Sequence, residues 1–390
     1  MNRLANNARG GWIASVFTGL RALLSPRPLW PEGAFLMWEP CTNNHAEVVP
    51  GYARYLLDLG FEVVVLVPER CLRQGLFARF PHPRLHCWGL PRFVIMRLLR
   101  RHGLRHAQGL FVTTAGKLVP KRGERYDLDR VIGAADHDKV ILVEHDARHL
   151  VDAGLWTPDL VTLRRLDYRG ADSVVVNPHH FGAVRPRTKE PGRTRFVLVG
   201  AARSTKRSNH LVIDAADALV RRGRRDFEIT IIGHRRGTVI PKHLRPVFRT
   251  LGHVSFDRLY DEMERADFLL TAYDGANPAH EFYRTAGTSG NFQLVLGFRK
   301  PCVVQESFAP IHGLDAGNSI LYGASADYAS ALERAMDLDP AAHVRMQAGL
   351  AARADAVHVQ SLQNLRELLR SRGRARPPEP PPAPRPPHSG

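Results

Sequence analysis

The chain has 390 residues and a formal net charge of +17, with the balance of 44% hydrophobic and 24% charged residues that is typical of a globular protein. A chain of this length is too long to fold around a single ordinary hydrophobic core, so two domains are predicted. No apolar run approaches the ~20 residues that a membrane-spanning helix needs. The positive charge favours anionic partners, but no zinc-finger, RNA-binding or basic-zipper pattern occurs, so nucleic acid is not an expected partner.

The first 30 residues predict an amphipathic helix, because Trp12, Val16, Phe17 and Leu20 share one helical face. The apolar run is short, is followed by Arg21 and lacks a small-residue cleavage site, which argues against a signal peptide. Two interpretations stay open. The helix packs on the following domain, or it lies on an anionic membrane surface.

Residues 31–185 predict a Rossmann-like domain. A strand at 34–40, a helix at 47–59 and a strand at 61–68 form a βαβ unit, which implies parallel strands and a right-handed crossover. Further strands are predicted in the stretches LHCWGLP, GLFVTT, KVILVEHD and ADSVVVNP.

The polar stretch PRTKEPGRTR (186–195) predicts a linker, after which the α/β pattern restarts in a second domain at 196–345. Its predicted strands are RFVLVGAA, DFEITIIG, DFLLTAY, PCVVQ and SILYG, and its predicted helices cover 210–222, 256–266 and 325–336. Helical periodicity predicts a closing helix at 340–369, with the end of the domain placed at 345 and the closing segment at 346–372, and the Pro-rich end at 373–390 predicts a disordered tail. The predicted fold class is α/β, with two doubly wound domains facing a cleft at the carboxyl ends of their strands.

Two loops of the second domain have the composition of a phosphate site. In VGAARSTKRSN (199–209) a strand ends at Gly200, Arg203 and Lys206 follow, and a helix opens, so that helix dipole and cations can hold a phosphate. The alternative is a solvated basic loop. Gly233 and His234, which end the next strand and turn in GHRRG, are a weaker candidate for a nucleotide-base pocket.

The stretch EFYRTAGTSGN (281–291) is the second candidate loop. Four residues, Thr288, Ser289, Gly290 and Asn291, form a hydroxyl-rich turn where a helix begins, and such a turn can cradle a phosphate. Glu281 stands just upstream on the ligand side of the sheet. The alternative is an ordinary helix cap beside a surface glutamate.

In the first domain, His145 ends the strand VEHD and is placed to face the cleft as a base, an orienting group or a hydrogen-bond donor. A structural polar cap is the alternative. The loop 39–50, with Asn43, Asn44 and His45, lines the cleft from the same side unless it is a simple capping turn. No two-His metal motif and no Gly-x-Ser-x-Gly elbow occurs, so neither a metal centre nor a serine hydrolase is expected. The four cysteines are far apart and indicate a reducing cytoplasm.

These motifs, in this order, resemble the donor-binding domain of glycosyltransferases with the GT-B fold, of the group-1/family-4 type. The resemblance rests on the strand-Gly-Arg-Lys loop, on LGHVSFDRLYDEMERADFLL and on the run from Glu281 to FRKPCVV, and it covers roughly 195–345 and more loosely 34–180. It implies a metal-independent glycosyl transfer from a nucleotide sugar, with no cofactor. Arg203 and Lys206 hold the diphosphate, Glu281 orients the sugar, and His145 lies near the reacting carbon.

The sequence departs from that family at one point. The family has a second glutamate eight positions after the first. Counted from Glu281, that position is Ser289 here, whereas counted back from Pro301 it is Leu294. Two alternatives therefore stay open beside a transferase: a non-catalytic nucleotide-sugar or glycan-binding protein, and a nucleotide-sugar epimerase. The basic N-terminal helix suggests polysaccharide or lipid-linked acceptors at the inner face of a membrane, and hence a cytoplasmic protein with peripheral attachment.

Overall fold

The computed structural model describes residues 19, 24–25, 30–41, 45–118, 131–132, 134–200, 208–233 and 239–373. The predicted N-terminal helix falls almost wholly outside these residues, as does the Pro-rich tail from residue 374 onward. The same holds for Asn43, Asn44, Arg203, Lys206 and His234.

The first domain is a parallel sheet wrapped by helices. In chain order its elements are β1 (Ala34–Trp38), α1 (Val49–Asp58), β2 (Val63–Val67), α2 (Glu69–Arg73), β3 (Leu85–Gly89), α3 (Arg92–His102), β4 (Ala107–Val112), β5 (Val140–Leu142), α4 (Arg148–Asp152), β6 (Val161–Thr162) and β7 (Val174–Val175). The sheet order is β3-β2-β1-β4-β5, all pairs being parallel, and β6 and β7 form a separate parallel pair. A bridge between Val143 and Val161 joins that pair to the main sheet.

Both faces of this sheet are covered, which explains why its central strands are continuous apolar runs. Phe35 and Met37 of β1 point into one core with α1, whereas Leu36 and Trp38 point into the opposite core with α3. Strands β1 and β2 are buried at every position.

The second domain repeats the plan. Its elements are β8 (Thr194–Val199), α5 (Asn209–Arg221), β9 (Phe227–Ile232), β10 (Phe248–Gly252), α6 (Phe256–Arg265), β11 (Phe268–Leu270), α7 (Glu281–Arg284), α8 (Gly290–Gly297), β12 (Cys302–Gln305), β13 (Ile320–Tyr322), α9 (Tyr328–Asp337) and α10 (Pro340–Ser371). The strand order is β10-β9-β8-β11-β12-β13, again parallel throughout. Two doubly wound sheets, as predicted, make up the described chain.

The last helix belongs to both domains. Leu350 and Ala354 of α10 pack into the core of the second domain, whereas Leu365 and Leu368 pack into that of the first. Because α10 is continuous from Pro340, the predicted boundary at residue 346 falls inside a helix. The predicted linker is also less exposed than its composition indicates, since the buried Lys189 donates hydrogen bonds to two carbonyls at the end of α9.

Candidate functional site

The turn after β5 carries the first-domain side of the site. Glu144 is buried, and its Oε1 accepts hydrogen bonds from the amides of His145 at 2.8 Å and Asp146 at 3.1 Å. A carboxylate that accepts neighbouring amides fixes the main chain locally. Glu144, which no motif singled out, therefore sets the direction in which His145 leaves the strand.

The His145 ring is held in one tautomer. Its Nε2 lies 2.8 Å from the carbonyl oxygen of Thr113, and because a carbonyl only accepts, Nε2 carries the proton and Nδ1 keeps its lone pair. Burial, together with the neighbouring ring of His45, lowers the pKa of His145 to about 4. At neutral pH this imidazole is uncharged, so it is suited to accept a hydrogen bond and is only a weak base.

His45 packs beside His145, and its predicted place on the acceptor side of the cleft stays a prediction. The two ring centroids are 4.9 Å apart with an interplanar angle of 55°. His45 has a φ of 74°, in the left-handed region, which few residues other than glycine adopt and in which histidine is among the enriched types. This turn of the backbone leads the chain into the short helix Ala46–Val48. Of the three residues predicted for the acceptor side, Asn43 and Asn44 lie outside the described part of the chain.

The buried carboxyl of Glu39 forms hydrogen bonds at the start of this loop. Glu39 follows β1 and is 1% exposed, and its oxygens accept hydrogen bonds from the hydroxyls of Thr113 (2.7 Å) and Thr114 (2.8 Å) and from the amide of Cys41. Burial raises the pKa of Glu39 to about 7, although these hydrogen bonds oppose the shift. Glu39 therefore changes charge near neutral pH, a property that its place at a strand end does not reveal.

The side chain of Glu47, from the first domain, reaches the second domain. Its Oε1 lies 3.2 Å from the point at which a Cβ on Gly290 would sit. Burial raises the pKa of Glu47 above its ordinary value, while the nearby His145 opposes the rise. Glu47 and Gly290 thus come together across the domain boundary, at the start of α8.

The turn between α7 and α8 lies directly against the first domain. The amide of Thr288 donates to the carbonyl of His145 at 3.2 Å, the amide of Ala147 donates to the carbonyl of Ala286 at 3.0 Å, and Asp146 and Gly287 form an antiparallel bridge. This antiparallel contact brings the predicted hydroxyl-rich turn and the predicted histidine together, which the sequence order alone does not require.

Some main-chain amides of this turn donate hydrogen bonds to other described residues, whereas others do not. The amide of Gly287 donates to Phe282 within the same turn, and that of Thr288 crosses to the first domain. Among the described residues no acceptor lies within hydrogen-bond distance of the amides of Ser289 and Gly290, which stand at the start of α8. A bound anion can therefore be held by these two amides and the helix dipole.

The side chains of the turn are mostly structural. Ser289 is buried, caps α8 by accepting from the amide of Asn291 and contacts the Tyr273 hydroxyl. Asn291 is 2% exposed. The predicted hydroxyl-rich cradle is therefore a main-chain site, whose side chains face inward except for the half-buried Thr288.

Glu281 begins α7 at an exposed position. Its side chain is 51% exposed and pairs with the Arg284 guanidinium at 3.2 Å. The role predicted for Glu281, orienting a sugar, stays a prediction, because an exposed carboxylate is free to swing away from a weak surface ion pair.

The two glycines predicted at strand ends lie on neighbouring strands of the second sheet. Gly200 follows β8 with a φ of 124°, and Gly233 follows β9 with a φ of 137°, a region in which only glycine is comfortable. Both glycines begin a loop at the carboxyl edge of the second sheet, which is also the edge from which the chain continues towards α7. The residues that follow them, among them Arg203, Lys206 and His234, lie outside the described chain.

The described residues contain no group of three histidine, cysteine or acidic side chains arranged to bind a metal ion. In that part of the chain, no helix combines the length and apolar character that crossing a bilayer requires.

Comparison with solved structures shows the fold. The chain is similar to AviGT4, a glycosyltransferase involved in avilamycin A biosynthesis, with a TM-score of 0.55, 16% identity, and coverage of 88% of this chain and 98% of AviGT4. It is also similar to Anabaena Alr3699/HepE, solved in complex with UDP and glucose, with a TM-score of 0.55, 12% identity, and coverage of 87% of this chain and 100% of HepE. No family model and no curated protein matches the chain. The chain has the GT-B fold, which confirms the predicted architecture of two Rossmann-like domains.

Proposed function

We propose that this chain is a glycosyltransferase that moves a sugar from a nucleotide-sugar donor to a glycan or lipid-linked acceptor of the cell envelope. The observation that carries the proposal is the contact of His145 with the turn at 286–290, between two domains in the GT-B arrangement. The fold alone does not specify an activity. The residues at this contact supply groups that glycosyl transfer needs.

On the donor side, the departing nucleoside diphosphate gains negative charge, which positive groups must stabilise. In this proposal Arg203 and Lys206, from the loop that Gly200 opens, supply two cations, and the amides of Ser289 and Gly290 supply two hydrogen bonds. These groups act without a metal ion or a cofactor. The complex of HepE with UDP and glucose supports a nucleotide sugar as the class of donor.

On the acceptor side, the lone pair on Nδ1 of His145 accepts a hydrogen bond from a sugar hydroxyl near the reacting carbon. Glu281 orients hydroxyls of the donor sugar from the second domain. Asn43, Asn44 and His45 contact the acceptor. His234, with Gly233, contacts the nucleotide base. Closure of the two domains excludes water from the reacting carbon and so suppresses hydrolysis of the donor.

Two measurements on the same samples test the proposal. Nucleotide sugars are screened by thermal shift, since a ligand of the folded state stabilises it by mass action, and transfer of radiolabelled sugar to a membrane extract is then measured. We expect Arg203→Ala/Lys206→Ala to abolish both signals. The control pair Arg345→Ala/Arg366→Ala, which removes two exposed arginines of α10, leaves both unchanged.

A non-catalytic binding protein is the second candidate, and one observation favours it. Ser289 occupies the place of the family's second glutamate and is a buried helix cap, so its side chain does not reach into the cleft. If a nucleotide sugar shifts the melting temperature but no sugar is transferred or epimerised, the chain is such a binding protein and the transferase proposal is wrong.

We propose that the first domain attaches the protein peripherally to the inner face of a membrane. Helix α3 contains no acidic residue, and its outer face presents exposed Arg97, Arg100 and Arg101 beside Phe93, which is 65% exposed. Cations beside an exposed aromatic ring are typical of a helix that lies on anionic lipid. The predicted helix within residues 1–30 supplies a second such element in this proposal.

Sedimentation with lipid vesicles tests the attachment. With phosphatidylglycerol present, we expect Arg97→Gln/Arg100→Gln to weaken binding about 30-fold, because each surface arginine contributes about 1 kcal/mol. Arg366→Gln/Arg370→Gln removes the same charge from α10, which packs on the opposite face of the first sheet, and is the matched control. Equal losses in both pairs would show that net charge alone, and not α3, drives binding.

A further inference from the structure

One buried arginine of the first domain is bonded almost entirely to main-chain carbonyls of the second. Arg164 follows β6 and is 6% exposed. Its Nε lies 3.1 Å and its Nη2 2.7 Å from the carbonyl of Gly287, and Nη2 also donates to the carbonyls of Tyr283 at 2.9 Å and Thr285 at 3.4 Å. Its Nη1 donates to the carbonyl of its neighbour Arg165 at 2.7 Å.

This arrangement is unusual for a charge in the interior. Buried charges are ordinarily paired with an opposite charge, yet within the described residues Asp167 attracts this guanidinium without forming an ion pair with it. Burial lowers the pKa of Arg164 to about 10, so the group still carries its proton at neutral pH. The rigid fork of a guanidinium suits several carbonyls at once better than an ammonium does.

The second-domain carbonyls that Arg164 binds belong to the turn that leads into α8. The same turn is crossed by amides of the first domain, from Ala147 to Ala286 at 3.0 Å and from Asp167 to Thr285 at 3.1 Å. One turn of the second domain is thus held between two first-domain segments, at 145–147 and at 164–167. The Arg164 side chain is a charged group that donates hydrogen bonds to this turn from the first domain.

We propose that Arg164 is a positioning residue, which fixes the 283–288 turn on the first domain and thereby sets the distance between His145 and the amides of Ser289 and Gly290. The part of this inference that concerns activity rests on the proposed glycosyl transfer. The groups proposed to bind the donor all belong to the second domain, and among the described residues the hydrogen bonds of Arg164 to that domain go to Tyr283, Thr285 and Gly287 and to none of these groups. Its loss should therefore lower the rate of transfer and leave donor binding intact, because misplacement of reacting groups lowers the rate even when both ligands bind.

Hydrogen exchange of the full chain tests the contact without reference to activity. In Arg164→Gln we expect exchange at least tenfold faster in peptides covering 145–147, 166–168 and 283–289, with no change in β2 and β9. Arg164→Lys, which keeps the charge but not the fork, should give a smaller increase and serves if the glutamine variant does not fold. Arg165→Gln, at the exposed neighbouring arginine, is the matched control and should match the wild type.

The activity measurement uses the same four proteins. We expect Arg164→Gln to lower kcat by about tenfold to 100-fold, with the donor dissociation constant changed less than about threefold. Exchange equal to that of the Arg165 variant, or faster exchange spread over both cores, would overturn the positioning role. If the wild type transfers no sugar while the exchange pattern is as expected, the proposed function fails and the cross-domain contact stands.

Discussion

The two sheet edges that meet at the cleft are built from different chemistry. The first-domain edge presents groups that gain or lose a proton, namely Glu39, Glu47, His45 and His145, in surroundings that shift the pKa of at least three of them. The described part of the second-domain edge presents amides, hydroxyls and glycines at 287–291, held by shape and main-chain hydrogen bonds. For the proposed transfer, this difference puts titratable groups on the acceptor side, and main-chain amides, whose hydrogen-bonding capacity does not change with pH, on the donor side.

Replacing His145 tests the first-domain edge with the largest expected effect. His145→Ala removes the neutral hydrogen-bond acceptor, and we expect transfer to fall about 100-fold with donor affinity retained. Steady-state kinetics with the donor found in the thermal-shift screen measure this. His149→Ala, an exposed histidine on α4, is the control. Equal activity in the two variants would remove His145 from the proposed site.

The pH dependence of stability tests the buried carboxyl. Because Glu39 keeps its proton up to about pH 7 in the folded state, against 4.5 in the unfolded chain, the folded state binds more protons between these values. Its contribution to the free energy of unfolding therefore falls as pH rises through this window, by about 3 kcal/mol at most.

Urea unfolding of Glu39→Gln between about pH 5 and about pH 8 should lack this contribution, so that its difference from the wild type changes with pH. The exposed Glu306→Gln is the control and should show the wild-type dependence. A wild-type slope in Glu39→Gln would mean that the carboxyl is ionised throughout the range.

At the second-domain edge, stability should instead depend on the volume of the side chains. A Cβ on Gly287 would sit 1.9 Å from the ring of Phe282, which Arg148 covers at 4.2 Å. We expect Gly287→Ala to lower the free energy of unfolding by about 2 kcal/mol, since overpacking forces the ring to move. The double variant Phe282→Ala/Gly287→Ala should recover part of the loss. Additive losses would show that the ring is not the obstacle. Gly349→Ala on α10, where an added Cβ would make only ordinary van der Waals contacts at 3.5 Å, is the control and should not destabilise the protein.

The smallest effect is expected at the helix cap. Ser289→Ala should cost about 1 kcal/mol, as loss of an N-cap hydroxyl usually does, with no dependence on pH. Thermal melts at two pH values measure it against Ser255→Ala, the corresponding cap of α6. A loss that varies with pH would show that the second-domain edge is coupled to the titrating groups opposite, and the contrast between the two edges would then be wrong.

The helices and strands that could be predicted from the sequence are those whose local hydrophobic pattern matches the burial of their positions in the fold. Strands such as β2 and β9 are apolar runs because both faces of the sheet are covered. Strand β10 was not predicted, since it is a half-exposed edge strand with the mixed sequence FRTLG. The predicted strand at 171–178 shrinks to Val174–Val175, because it pairs with β6 over two residues only.

The candidate site was predicted in part for the same reason. His145 and the 287–291 turn stand at strand ends and helix starts, which local patterns mark. Arg164 lies in LRRLDYRG, a stretch that looks like a solvated face, and its burial results from docking of the other domain. No pattern within one domain carries that information, because the carbonyls it binds are more than a hundred positions further along the chain.

Helix α10 has a mechanical consequence. The polypeptide passes between the domains twice, once through the segment around Lys189 and once through the middle of α10, where the Ser361 hydroxyl accepts a hydrogen bond from the amide of Asn177. Two covalent crossings restrict twisting of one domain against the other more than a single linker would. We therefore expect the cleft to open mainly by rotation about the line through these two crossings.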